Sequence, residues 1–182
     1  MSILVTGGAR SGKSGFAERL MASLAGQATY IATGQAFDEE MEARIALHRQ
    51  QRAQGGYAWK TVEEPHDLPA LLDRLSGKEA VLVDCLTLWL SNVLLAAEER
   101  ADRQEYMERE MARLEQSVDG FAGTLILVTN EVGDGIVPEY ALGRLYRDLA
   151  GRMNARLAGR CDQVFLVTVG IPVELKSREF KL

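Results

Sequence analysis

An apolar run, Ile3–Thr6, passes directly into Gly7-Gly8-Ala9-Arg10-Ser11-Gly12-Lys13-Ser14, and an amphipathic stretch, Lys13–Ala25, follows. The spacing is G-x-x-x-x-G-K-[ST], set between a strand pattern and a helix pattern. Glycines let the backbone curl so that successive N–H groups point at one anionic centre. The N-terminus of the following helix adds partial positive charge. Lys13 is then placed to reach the β- and γ-phosphates of a nucleotide, and the Ser14 hydroxyl to ligate Mg2+. A glycine-rich turn that merely joins strand to helix is the alternative, and the full spacing in this context argues against it. Residues Gly7, Gly8, Ala9, Arg10, Ser11, Gly12, Lys13 and Ser14 are thus expected to hold a nucleoside triphosphate. The loop by itself names no reaction, because kinases, ATPases and switches share it.

The rest of the chain repeats the strand-then-helix order. Ile3–Thr6, Thr29–Thr33, Ala80–Cys85, Thr124–Asn130 and Gln163–Val169 are short, β-branched and nearly continuous in apolar character, as strands covered on both faces are. Helical patterns lie between them at Lys13–Ala25, Phe37–Arg52, Asp67–Leu75, Thr87–Ala97, Arg103–Gly120 and Leu142–Gly159. The alternation predicts an α/β fold with a mostly parallel sheet and right-handed crossovers. Ligands of such sheets sit beyond the carboxyl ends of the strands. With 182 residues and no linker or repeat, one domain spanning 1–182 is expected. The net charge of −5 argues against broad binding to nucleic acid or an anionic membrane surface. Cys85 and Cys161, the only cysteines, exclude a disulfide framework. No signal peptide pattern and no apolar run of ~20 residues is present, so a cytoplasmic protein is expected.

Chemistry is sought just after each strand. Asp84 ends the run Ala80-Val81-Leu82-Val83, where an acid can hold Mg2+ opposite Ser14. Capping the helix that begins near Thr87 is the less favoured alternative. Asn130 and Glu131 end the next strand, where they position a hydroxyl or a water, or simply bond the loop. His48 shares a helix face with Met41 and Ile45, flanked by Arg44 and Arg52. A neutral imidazole among arginines can attack phosphorus, with the guanidinium groups neutralising the developing charge. A solvated surface histidine is the alternative, and composition alone favours it. His66, in Glu64-Pro65-His66-Asp67, reads as turn and helix-start chemistry. Lys60 and Glu63 suit contacts to a base or ribose, or an edge strand. The two cysteines read as small core residues, and the tail Lys176–Leu182 as a frayed end.

Taken together, these residues resemble the bifunctional adenosylcobinamide kinase / adenosylcobinamide-phosphate guanylyltransferase family of cobalamin biosynthesis. The resemblance rests on Ile3–Ser14, Tyr30-Ile31-Ala32-Thr33, Met41–Arg52, Thr129-Asn130-Glu131-Val132-Gly133 with Gly135-Ile136-Val137-Pro138, and Gly170-Ile171-Pro172-Val173. It implies a P-loop NTPase-like, RecA-like fold and two reactions at one site. In the first, ATP or GTP phosphorylates the aminopropanol hydroxyl of adenosylcobinamide. In the second, GTP transfers GMP to a histidine with release of pyrophosphate, and the substrate phosphate then takes the GMP to give adenosylcobinamide-GDP. His48 matches the guanylylated histidine, beside Leu47 where some relatives have a second histidine. Lys13 is implied as the other catalytic residue. Ala32, Thr33, Gly34, Arg49, Gln50, Gln51, Arg52, Glu63 and Asp84 are implied in nucleotide binding, and Ser14 and Asp84 in holding Mg2+. A homotrimer with a corrinoid substrate is implied as well. A different small P-loop kinase, or a non-catalytic nucleotide switch, would need no equivalent of the His48, Arg49 and Arg52 cluster.

Overall fold

The computed structural model describes residues 1–35, 46, 50, 52, 55–77 and 79–181. In chain order the elements are β1 (Ser2–Thr6), α1 (Lys13–Leu24), β2 (Gln27–Ala32), β3 (Ala58–Glu63), α2 (Leu68–Leu75), β4 (Ala80–Asp84), α3 (Leu86–Ala96), α4 (Arg103–Gly120), β5 (Thr124–Val128), α5 (Ala141–Arg160), β6 (Gln163–Thr168) and β7 (Ile171–Glu174). A 3-10 turn, Lys176–Arg178, follows. The strands form one sheet of seven in the order β3-β2-β4-β5-β1-β6-β7. All pairings are parallel except β6 with β7. The α/β architecture with a mostly parallel sheet, expected from the alternation, is therefore present.

The continuous apolar strands are buried on both faces, and successive residues enter opposite layers. Leu4, Val81, Val83, Leu125 and Leu127 join a core with Leu72, Trp89, Met111, Leu114 and Met153, from α2 to α5. Ile3, Val5, Leu82, Ile126 and Val128 face the other way, onto Ala17 and Met21 of α1. Among the described residues, the helix that covers the second face is the one that leaves the phosphate loop. Asp67 caps α2 by accepting from the Ala70 N–H, with Pro69 in the first turn, where a missing N–H costs nothing.

The five expected strands are found to within about two residues at each end, the normal uncertainty of element ends. The two edge strands are additional. β3 is exposed along most of its length, so it lacks a continuous apolar run; it is the edge strand that Trp59–Glu63 allowed. β7 is short and exposed and carries Pro172, which an edge strand tolerates. It is joined to β6 by Val169 and Gly170, with φ of 48° and 82°, the positive pair that a tight hairpin turn requires. The start of the tail expected to fray is pinned, because Glu174 accepts from the backbone N–H of Val164, Lys176 and Ser177. Of the expected helix Phe37–Arg52, Ala46, Gln50 and Arg52 are described and helical; the rest lies outside the described residues.

Candidate active site

The phosphate loop leaves β1 at Thr6 and reaches α1 through Gly7, Arg10 and Gly12, all at positive φ. A Cβ at Gly7 would lie 2.4 Å from the Val167 carbonyl oxygen, so only glycine fits beside β6. The helix starts on Gly12 at φ 92°, and no side chain caps it. A helix N-terminus with no side-chain cap is the kind of place where an anion can be held. Lys13 is buried, and its Nζ donates to the Gly8 carbonyl at 3.1 Å across the loop. The Ser11 hydroxyl is buried with no hydrogen-bond partner among the described residues. Ser14 stands half-buried on the first turn.

Two distant segments brace this loop. The Glu131 N–H donates to the Gly7 carbonyl at 3.1 Å. The Gly170 N–H donates to the Ser11 carbonyl at 2.8 Å, and a Cβ on Gly12 would come within 3.3 Å of the Gly170 Cα. The blocks around Thr129–Gly133 and Gly170–Val173 are thus the backbone scaffold of the loop. Asn130 bonds the Thr87 hydroxyl through Nδ2 at 2.7 Å, and its carbonyl accepts from Asn154. Glu131 Oε1 accepts from the Gly133 N–H. In both residues the loop-bonding alternative is what the side chains do here.

Ala32 and two acids, Glu63 and Asp84, gather along the same carboxyl edge. Ala32 is in register with both Glu63 of β3 and Asp84 of β4, so the three sit side by side. Asp84 does not cap α3: its N-cap is Cys85, with no side-chain cap. The Asp84 carboxylate accepts from the Tyr30 hydroxyl at 3.0 Å. Glu18, one turn beyond Ser14 on α1, has its carboxyl raised above the usual range, first by burial and also by the Asp84 charge, with Arg52 opposing. Arg52 is buried, and its guanidinium lies 3.6 Å from the centre of the Tyr30 ring. Burial and the Asp84 carboxylate push the Tyr30 phenol well above its ordinary value, so it remains a donor.

Thr33 is fully buried, with its hydroxyl donating to the Cys85 carbonyl at 2.7 Å and accepting from the Cys85 N–H at 2.9 Å. It clamps β2 to β4, while Gly34 stays half-buried beside it. Gln50 is exposed. His48, Arg49 and Gln51 lie outside the described residues. His66 takes part in a turn: Glu64 accepts its backbone N–H, and its carbonyl accepts from Trp89 Nε1. Lys60 lines a hollow with Ala25, Gln27 and Glu79 near the amino ends of the strands, away from the loop, whereas Glu63 is at the carboxyl edge. Cys85 and Cys161 are buried core thiols, each pushed up to about 11 chiefly by burial.

The donor set suits a magnesium–nucleotide complex. Mg2+ typically takes one or two protein oxygens and completes its shell with phosphate and water. Ser14 and Asp84 could supply a hydroxyl and a carboxylate to it, and no cluster of three or more His, Cys, Asp or Glu occurs among the described residues to make an all-protein cage. Sequence reasoning missed the roles of Tyr30, Glu18 and Gly170. Glu18 carried one signal, its position four residues after Ser14 on the same helix face. Tyr30 and Gly170 carried none beyond their place in the matching blocks.

Residues 3–175 match the family described as cobinamide kinase / cobinamide phosphate guanyltransferase. The bifunctional adenosylcobalamin biosynthesis protein CobP of Pseudomonas aeruginosa is 44% identical, covering 97% of this chain and 98% of its own length. The bifunctional adenosylcobalamin biosynthesis proteins CobU of Escherichia coli K12 and of Salmonella typhimurium are each 43% identical, covering 97% of this chain and 100% of their own. With its phosphate loop, strand-edge acid and bracing segments all inside the matched span, the chain belongs to the cobinamide kinase / cobinamide phosphate guanyltransferase family.

Proposed function

We propose that this chain, as a single domain over residues 1–182, performs both family reactions on adenosylcobinamide. What carries the reading is a phosphate loop leading into a helix with no side-chain cap, inside a chain that matches that family over residues 3–175. In the kinase step the substrate hydroxyl oxygen attacks the γ-phosphorus of ATP or GTP. The bond to the bridging oxygen breaks, the nucleoside diphosphate leaves and the hydroxyl proton departs. Loop amides, Lys13 and the α1 N-terminus hold the phosphates and their developing charge. Ser14 and Asp84 would hold Mg2+, which would supply neutralisation of phosphate charge there.

In the transferase step an imidazole nitrogen of His48 attacks the α-phosphorus of GTP, and the α–β bond breaks to release pyrophosphate. A phosphate oxygen of adenosylcobinamide phosphate then attacks the same phosphorus and frees His48. The loop that holds β- and γ-phosphates for the kinase also holds the pyrophosphate leaving group. What changes is which phosphorus faces a nucleophile, so the segment bearing His48 must approach the loop, as lids do. Arg49, Gln50, Gln51, Arg52 and Glu63 contact the guanine nucleotide in this reading. Family resemblance also supports a homotrimer in the cytoplasm.

Labelling tests it. Protein, Mg2+ and GTP labelled at the α-phosphate should give a covalent, acid-labile and base-stable adduct, absent in His48→Ala and absent with γ-label. Turnover of adenosylcobinamide to its phosphate should persist in His48→Ala. No α-label in the wild type removes the transferase mechanism; no turnover of any hydroxyl acceptor leaves a nucleotide switch.

A further inference from the structure

Tyr30 stands where three features of the carboxyl edge meet, and nothing in the reaction scheme above uses it. It is paired with Leu82 across β2 and β4, so Asp84, two residues on, is its diagonal neighbour on the same face of the sheet. That face packs on α1, with Ala28, Leu82, Ile126 and Val128 in the same layer and the Arg52 and Glu18 charges near the ring. A buried phenol in such a layer needs an acceptor. It has one, Asp84 Oδ2 at 3.0 Å, and among the described residues no other donor is bonded to that carboxylate. The ring itself is fixed from two sides. Trp59 of β3 meets it edge-on, with ring centres 5.7 Å apart. The Arg52 guanidinium covers it at 3.6 Å, and Arg52 is only 7% exposed, with Nε lacking a hydrogen-bond partner among the described residues. A cation so far out of water is held by the ring face.

The geometry points to Tyr30 as a positioning residue for the metal-side acid: its hydroxyl orients the Asp84 carboxylate, while Arg52 and Trp59 hold its ring in place. Phenylalanine would fill the layer equally well, so the hydroxyl is there for the carboxylate. Partners that orient a metal-binding carboxylate typically change metal affinity by about 10–100-fold when removed. The inference rests on Asp84 serving Mg2+, and the test separates the two.

Binding of a non-hydrolysable GTP analogue is followed by calorimetry, first in chelator and then as Mg2+ is added, for wild type, Tyr30→Phe and Asp84→Asn. Tyr30→Phe keeps the ring and its two contacts. Its Mg2+ midpoint should rise about tenfold, while affinity for the analogue without metal stays at the wild-type value. Asp84→Asn should lose most of the Mg2+ enhancement. A wild-type Mg2+ midpoint in Tyr30→Phe, with the enhancement lost in Asp84→Asn, overturns the role of Tyr30 and leaves that of Asp84. A uniform loss of affinity in Tyr30→Phe with no midpoint shift would mean the hydroxyl is only structural, and also overturns it. Undiminished enhancement in Asp84→Asn overturns the metal role of Asp84 and the inference together.

Discussion

Gly12 and Gly8 lie four residues apart in one loop and carry different burdens. Gly12 sits at φ 92°, and a Cβ there would press within 3.3 Å of the Gly170 backbone, whereas a Cβ on Gly8 would meet nothing within 4 Å. Gly12→Ala should therefore cost about 1–2 kcal/mol in strain alone, and should disturb the turn that caps the loop. Gly8→Ala should leave the urea midpoint of the nucleotide-free protein unchanged. Chemical unfolding of the two variants side by side checks the difference. At this scale the motif letters were legible in the sequence, since Gly7, Gly12, Lys13 and Ser14 announce their role by spacing. The Ser11 and Gly170 contact was not, because it joins residues far apart in the chain.

Among the elements, the C-terminal hairpin shows how a single carboxylate ends a fold. The Glu174 carboxyl is held down to about 2 by hydrogen bonds from Ser177, then by the N–H groups of Val164 and Lys176. Its folded value lies below its ordinary 4.5, so its stabilising effect is complete above that value and is lost as pH falls through about 2. Protection of the Lys176 and Ser177 amides, taken relative to their intrinsic exchange rates, should thus fall between these limits. Glu174→Gln should exchange fast at neutral pH already and show no such acid transition. The central strands were plain in the sequence because burial on both faces demands an unbroken apolar run. β3 and β7 were not, because an edge strand is specified by pairing with its neighbour more than by its own residues.

Across the whole molecule, α4 and α5 are laced together by charge as well as by core contacts. Glu108 pairs with Arg152 and Arg156, Glu115 with Arg156 and Arg160, and Asp119 with Arg160. The Glu115 side chain is 12% exposed, and its arginines are 38–39% exposed, so the solvent-screened value per pair is small. Glu115→Gln, which disturbs two pairs at once, should cost about 1 kcal/mol. The loss should shrink in high salt, measured as a urea midpoint at low and high ionic strength. This ladder lies on the face opposite α1, so the nucleotide affinity of the variant should equal the wild type.

The sequence by itself determined the α/β alternation, the phosphate loop, the strand-end acid and the family, because each is written in local spacing or in ordered blocks along the chain. It did not determine which side chains share the edge of the sheet. Register did that: parallel pairing sets Glu63, Ala32 and Asp84 abreast and puts Tyr30 diagonal to Asp84. The strand order brought Glu131 and Gly170 onto the loop from opposite sides of β1, just after β5 and on the β6–β7 turn. Such placements follow from long-range packing of whole elements, whose energy is spread over the core and is visible in no short stretch of residues.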